Sequence, residues 1–275
     1  MSVSKFIDIR KLIASKNKKL AKLIPGFVYG YLKRVLHQDE VNEFMRKNGH
    51  YKNEDFCSAI VRDFELKVNV TGKENIPVEG GVIIAMNHPL GGMDAMAFVD
   101  AVRDCRSDMK FIVNDLLLNL TPLQGLFVGV NKHGSNDRKL YMQMTELFSS
   151  GAAVGIFPAG LVSRKIKGKI VDLEWKKTFV KYAKRHDLQI VPVHIEGRLS
   201  NFFYNLSNFR RFFGIKANIE MFYLSDELFN QKGKEINFRI GSPISPDQLK
   251  DGRSDEQWAQ EIKKIVYQLG EEKFK

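Results

Sequence analysis

The run GVIIAMNHPLGGMDAMAFVDAVR at residues 81–103 changes character twice. Gly81 to Met86 is a short, continuous apolar run of the kind a fully buried strand needs. Asn87 to Gly92 breaks it, because Pro89 and the pair Gly91-Gly92 favour a loop over any regular element. From Met93 to Arg103 a helix is expected. A buried strand, a glycine-containing loop and a helix in succession form the first part of a crossover unit, which places this strand in a parallel sheet.

The same alternation continues on both sides of this stretch. Strands are expected at FELKVNV (64–70), KFIV (110–113), LFVGV (126–130), AAVGIF (152–157), QIVPVHI (189–195), ANIEMFYL (217–224) and EINFRI (235–240). Further helices are expected over Asp137 to Ser149, Trp175 to Arg185 and about Asp255 to Leu269. The fold class is therefore α/β, a mostly parallel central sheet flanked by helices. Before residue 60 the pattern is helical instead: Phe6, Ile9, Leu12 and Ile13, then Phe27, Tyr31, Leu32 and Val35, with Pro25-Gly26 between them. The expected division is an N-terminal basic helical extension over residues 1–60 and an α/β domain over 61–275.

Composition narrows the function. With 44% hydrophobic and 27% charged residues in 275, the chain can bury a core and is not a disordered one. Cys57 and Cys105 stand far apart without a CxxC pair, so neither a disulfide framework nor a zinc site is indicated and a reducing compartment fits. The formal net charge is +11. Most of that excess lies in residues 1–36, where Lys5, Arg10, Lys11, Lys16, Lys18, Lys19, Lys22, Lys33 and Arg34 face only Asp8. Such a basic amphipathic segment reads either as a solvated face or as a helix lying on an anionic bilayer. No run approaches the ~18 apolar residues of a spanning helix, and the start lacks the features of a signal peptide. A cytoplasmic protein, peripheral on the inner face of the cell membrane, is expected. No recognisable nucleic-acid module accompanies the basic residues, so nucleic acid is not an expected partner.

In open α/β sheets ligands gather at the carboxyl ends of the strands, and GVIIAM delivers His88 there. A histidine can act as a general base near neutral pH, provided a partner fixes its tautomer; Asp94 is the candidate. Six residues on a continuous helix turn through about 600°, which puts the two on different faces. They meet only if the Pro89–Gly92 segment is a loop. The alternative is an ordinary strand-to-helix turn, with His88 bonded to a carbonyl and Asp94 in the first helical turn. Two further strand ends point the same way: GIFPAGLVSRKIKGKI (155–170), where Gly160 exposes backbone amides and Arg164 offers a planar fork to an anion, and IVPVHIEGR (190–198).

Taken in order, NHPLGGMD, KFIVNDLLLNLTPLQGLFVGVNK, IFPAGLVSR and IVPVHIEG resemble the glycerolipid acyltransferase family of the bacterial lysophosphatidic acid acyltransferase type, over about residues 63 to 245. The family's first motif is NHxxxxD and its third FPEGTRS. Here five residues rather than four separate His88 from Asp94, Ala159 and Leu161 depart from the third motif, and Asn131-Lys132 stand where the second motif has arginine. These forms resemble a divergent, hemolysin-like branch associated with acylating lyso forms of amino-acid lipids.

The resemblance implies an O-acyltransferase of membrane lipid biosynthesis. His88 would be the base and Asp94 its orienting carboxylate, with Asn87, Gly91, Gly92, Lys132, Gly160, Ser163 and Arg164 binding substrate. Arg164 and Lys132 would meet the acceptor's headgroup, and amides near Gly160 the oxyanion. The implied acceptor is a lyso amino-acid lipid or lysophosphatidic acid. The co-substrate is the thioester of acyl-CoA or acyl carrier protein, with no other cofactor and no metal. The anionic membrane surface and the acidic acyl carrier protein are the implied partners. No GxSxG elbow offers a serine nucleophile. The competing reading is a non-catalytic lipid-binding protein that has kept the fold.

Overall fold

A computed structural model describes residues 5–130 and 137–271. Helices come first: α1 (Ile9–Lys16), α2 (Lys18–Leu23), α3 (Gly26–Val35), α4 (Gln38–Asn48) and α5 (Asn53–Asp63). There follow β1 (Lys67–Thr71), β2 (Val82–Met86), α6 (Gly92–Val102), β3 (Lys110–Asn114), β4 (Phe127–Val130), α7 (Asp137–Ser149) and β5 (Ala153–Ile156). A short hairpin, β6 (Arg164–Ile166) and β7 (Lys169–Val171), leads to α8 (Thr178–His186) and β8 (Gln189–Glu196). Last come α9 (Asn201–Phe212), α10 (Leu224–Phe229), β9 (Glu235–Ile240) and α11 (Asp255–Leu269).

The chain forms two compact units: residues 1–51 with 200–232, and residues 52–199 with 233–275. The second holds a seven-stranded sheet in the order β1-β9-β8-β2-β5-β3-β4. All its neighbours are parallel except β8 and β9, so the α/β, mostly parallel architecture is the one expected. Every residue of β2 is buried, which is why its sequence shows no polar alternation. Ile83 and Ala85 pack with Phe148 of α7, Phe179 and Ala183 of α8, and Ile262 and Val266 of α11. On α6, Phe98 meets Phe238 of β9 edge-on at 5.4 Å. Each of the Ile, Val and Phe side chains among these contributes about 1.5–3 kcal/mol on burial.

Two expectations are corrected. The boundary falls after Tyr51 rather than at 60, because α5 carries a buried face (Phe56, Cys57, Ala59, Ile60) that belongs with the sheet unit. ANIEMFYL is not a strand: Ile219–Tyr223 is a 3₁₀ turn that runs into α10. Its Glu220 is fully buried on Arg210 at 2.8 Å, while Ile219 and Phe222 are exposed, the reverse of a strand's buried apolar face. Beyond the end of β5 the chain forms the β6–β7 hairpin, closed by Lys167 and Gly168, both at positive φ (48° and 83°). Two such residues form the turn whose twist matches a hairpin.

In the first unit, the Ile9 amide donates to Gln38 Oε1 and the Ile7 amide to Asn42 Oδ1, each at 2.9 Å, so α4 anchors the start of the described chain. His37 stacks on Phe229 with centroids 4.1 Å apart and bonds Asp226 at 3.0 Å. Helix α10 thereby joins the N-terminal helices.

Candidate active site

β2 and β5 run parallel, with Ala85 beside Ile156. Two residues past β2 lies His88, and one past β5 lies Phe157. Their rings stack, with centroids 4.0 Å apart and planes inclined by 21°. The imidazole plane is thus set by a neighbour from the adjacent strand end.

His88 and Asp94 meet because the chain between them turns before it becomes helical. Gly91 adopts φ 71°, ψ −136°, a conformation essentially reserved for glycine, and α6 begins only at Gly92. That places Asp94 in the first turn of α6, fully buried. Its Oδ2 lies 2.8 Å from His88 Nδ1 and accepts the Leu90 amide at 3.0 Å. Burial holds the Asp94 carboxyl above its ordinary range, with the hydrogen bond and charge of His88 and the Leu90 amide opposing. Its Oδ1 has no hydrogen-bond partner among the described residues. With the carboxylate ionised, Nδ1 carries the hydrogen and Nε2 keeps a lone pair for a substrate proton. The negative charge then favours the imidazolium that proton uptake creates.

The backbone of His88 is held as firmly as its ring. Its amide donates to Asp172 Oδ1 at 3.3 Å, and its carbonyl accepts the Ser163 amide at 2.8 Å. Ser163 and Asp172 flank the β6–β7 hairpin, so this hairpin grips the His88 peptide from both sides. Asp172 is itself buried and accepts Ser163 Oγ at 2.6 Å and the Trp175 indole at 2.8 Å, while its amide donates to Tyr267 OH at 2.7 Å. Lys263 of α11 donates to the carbonyls of Asp172 and Leu173 at 2.7 and 3.0 Å. Burial holds this ammonium below the usual lysine range, with Asp172 and Glu174 opposing. None of Phe157, Asp172, Trp175, Lys263 or Tyr267 stood out as a site residue in the sequence; the trace was a pair of carboxylates, Asp172 and Glu174, among the apolar residues of IVDLEW.

The other expected site residues fall as follows. Asn87 is buried, and its amide pairs with Ile195, donating to the carbonyl at 2.9 Å and accepting the N–H at 2.7 Å. It extends the β2–β8 pairing in place of a backbone peptide. Gly92 is exposed and opens α6, whereas Gly91 makes the turn. Gly160 is exposed at φ 68°, but its amide donates to the Phe157 carbonyl at 2.9 Å, closing a turn rather than meeting an oxyanion. Ser163 is spent on Asp172. Arg164, expected at the acceptor's headgroup, is 2% exposed and donates to the Val162 carbonyl at 2.6 Å, bracing the loop from within. Lys132 lies outside the described residues. One more position tightens the site: a Cβ at Gly197 would stand 2.6–2.9 Å from three side-chain carbons of Leu90, whose amide donates to Asp94.

Comparison with known proteins gives the family. A family described as Acyltransferase matches residues 11–272. The chain is 41% identical over 264 residues to a lyso-glycine lipid O-acyltransferase of Phocaeicola vulgatus, covering 96% of this chain and 95% of that one. It is likewise 41% identical over 264 residues to the protein of that name from Bacteroides thetaiotaomicron, covering 96% and 97%. The crystal structure of the 1-acyl-sn-glycerophosphate acyltransferase PlsC from Thermotoga maritima shares the fold, with a TM-score of 0.50 at 17% identity over 97% of this chain and 100% of that one. From the NHPLGGMD loop to the near full-length match, the chain belongs to the acyltransferase family.

Proposed function

We propose that this acyltransferase moves a fatty acyl group from the thioester of acyl-CoA or acyl carrier protein to the hydroxyl of a lyso-glycine lipid. Support for the acceptor comes from the two relatives of that name, which match almost end to end. The observation that carries the chemistry is the 2.8 Å contact between His88 Nδ1 and the buried Asp94. His88 Nε2 takes the proton of the acceptor hydroxyl as its oxygen attacks the thioester carbonyl. The tetrahedral adduct collapses with cleavage of the C–S bond, and the imidazolium returns its proton to the departing sulfur. An ester and a free thiol result, with no acyl-enzyme. Asp94 orients the ring and stabilises its charged form.

Among the described residues no helix is long and apolar enough to cross a membrane. The basic helices α1 to α3 support a peripheral position on an anionic, inner membrane face, where each nearby Lys or Arg adds about 1 kcal/mol. The test is to incubate purified protein with an acyl thioester and lyso-glycine lipid, then measure diacylated product by mass spectrometry and free thiol by titration. Both should appear, and His88→Ala should fold yet form neither. Transfer retained in His88→Ala overturns the mechanism. Product from lysophosphatidic acid but not from lyso-glycine lipid overturns the acceptor.

A further inference from the structure

We infer that the first unit docks on the lipid bilayer through an aromatic face built mainly from the second half of the chain, residues 202–222, and completed by α3. In α9, Phe202, Phe209 and the capping Phe213 are separated by seven and four residues, which returns them to one helix face within about 40°. Phe202, Phe209 and Phe213 are each more than half exposed, and Phe212 is 84% exposed. Phe209 and Phe213 lie 4.5 Å apart and Phe212 and Phe213 5.1 Å, so these rings form one cluster.

A second group of rings forms around Phe202, at the start of the same helix face. Phe202 meets Tyr223 edge-on at 4.9 Å, Phe222 lies 5.7 Å from the same ring, and the Tyr223 hydroxyl is 2.6 Å from that of Tyr31 on α3. One turn before Tyr31 on the same helix face is Phe27, 79% exposed. Segments almost two hundred residues apart thus supply one apolar face, with Ile215 and Ile219 also exposed beside α9. Soluble proteins scatter such residues singly, and a contiguous patch marks an interaction surface.

The tip is held rigidly. Gly214, at φ 66°, reverses the chain after α9, and its amide bonds Arg211 while the Ile215 amide bonds Arg210. The Arg210 guanidinium donates to the Ile215 carbonyl at 3.0 Å and clamps Glu220 at 2.8 and 3.1 Å. The aromatic rings therefore project from a braced turn.

Charge selects the occupant. From Asn201 to Phe222 the sequence holds Arg210, Arg211 and Lys216 against one carboxylate, Glu220, which Arg210 clamps. On α3, Arg34 sits over the Tyr31 ring at 5.5 Å, and Lys18, Lys19 and Lys22 are exposed on α2. Aromatic rings flanked by cations suit the interfacial zone of an anionic bilayer, where rings enter the acyl boundary and cations meet headgroups. An acidic protein partner would use cations chiefly, whereas most of this face is ring. The inference rests on the proposed membrane-lipid acceptor for its biological sense, so docking is measured without substrate.

Full-length protein is sedimented with vesicles of phosphatidylcholine containing phosphatidylglycerol, beside a Phe209→Ser/Phe212→Ser/Phe213→Ser variant. These side chains are exposed, so the variant keeps its fold. At about tenfold per ring withdrawn from lipid, its partition should fall about a hundredfold or more. Its acyl transfer to lyso-glycine lipid in detergent micelles should stay within about twofold of wild type. Arg211→Gln/Lys216→Gln should weaken binding to these anionic vesicles and leave binding to pure phosphatidylcholine unchanged. Wild-type partition in the triple variant overturns the assignment. So does a triple variant that still binds vesicles but loses turnover with acyl carrier protein alone, which would mark the face as a protein-docking surface. Because partition is read without acceptor, an enzyme inactive on lyso-glycine lipid refutes the proposed acceptor and leaves the docking result standing.

Discussion

Replacing Asp172 by asparagine separates what the hairpin does for stability from what it does for catalysis. The carboxylate receives three donors: Ser163 Oγ and the His88 amide on Oδ1, and the Trp175 indole on Oδ2. Asparagine has one carbonyl oxygen. Turned toward Ser163 and His88, it presents its NH₂ to the indole N–H, so two donors face each other in a buried site. Losing a hydrogen bond to a charged acceptor costs about 1.5–3 kcal/mol, and a stranded buried donor about 1–3; since both describe the same contact, the expected loss is about 1.5–3 kcal/mol. Against a typical stability of about 5–15 kcal/mol the protein still folds. The bond from the His88 amide, already long at 3.3 Å, is weakened too. A displacement of the base by about 1 Å can cost about a hundredfold in rate, so kcat should fall between about tenfold and a hundredfold. Urea unfolding gives the first quantity, provided m is unchanged, and single-turnover acyl transfer the second. Trp175→Phe removes the opposing donor, so the double variant should be more stable than the sum of the single effects by about 1–2 kcal/mol. Asp172→Asn within about 0.5 kcal/mol of wild type with unaltered kcat, or a double variant that is simply additive, would refute this account.

Gly197→Ala should destabilise by about 1–3 kcal/mol through overpacking against Leu90 and lower kcat by unseating the Leu90 amide from Asp94; Leu90→Ala in the same chain should recover the stability, as read by thermal melts. Asp94→Asn offers His88 an amide in place of a carboxylate, and a loss of about a thousandfold or more in kcat/KM is expected, against little change in fold by circular dichroism. His194 supplies a pH test. Burial, reinforced by Arg239, depresses its imidazole to about 4 from the ordinary 6.5. The unfolded chain therefore takes up the proton first as pH falls. Stability is complete above about pH 7 and declines between pH 6.5 and 4 by about 3 kcal/mol. His194→Gln should flatten that slope in denaturant titrations; an unchanged slope would place the acid sensitivity elsewhere.

Much of the fold is legible in local patterns. Continuous apolar runs such as Val82–Met86 belong to strands covered on both faces, and α7 and α11 begin and end where helical spacing puts them. The meeting of His88 with Asp94 is legible as well, because Pro89 and Gly91 are turn formers whatever surrounds them. ANIEMFYL misleads because its strand-like composition is overridden by the Arg210–Glu220 pair, a contact ten residues apart that no periodicity encodes. The hairpin hides because Lys167 takes a left-handed conformation usually left to glycine, asparagine or aspartate. Asp172 escapes notice because its importance lies in three donors drawn from different segments. The grouping of residues 200–232 with 1–51 is likewise a long-range association.

The His88 imidazole is pinned three times over: by Asp94 at its edge, by Phe157 on its face and by the β6–β7 hairpin at its peptide. Ordering a side chain and its backbone costs about 1–3 kcal/mol of conformational entropy, and here that cost is met when the chain folds, before any lipid arrives. The base then adds little activation entropy of its own. Loosening a pin should show as a more negative activation entropy in an Eyring plot, at nearly constant activation enthalpy.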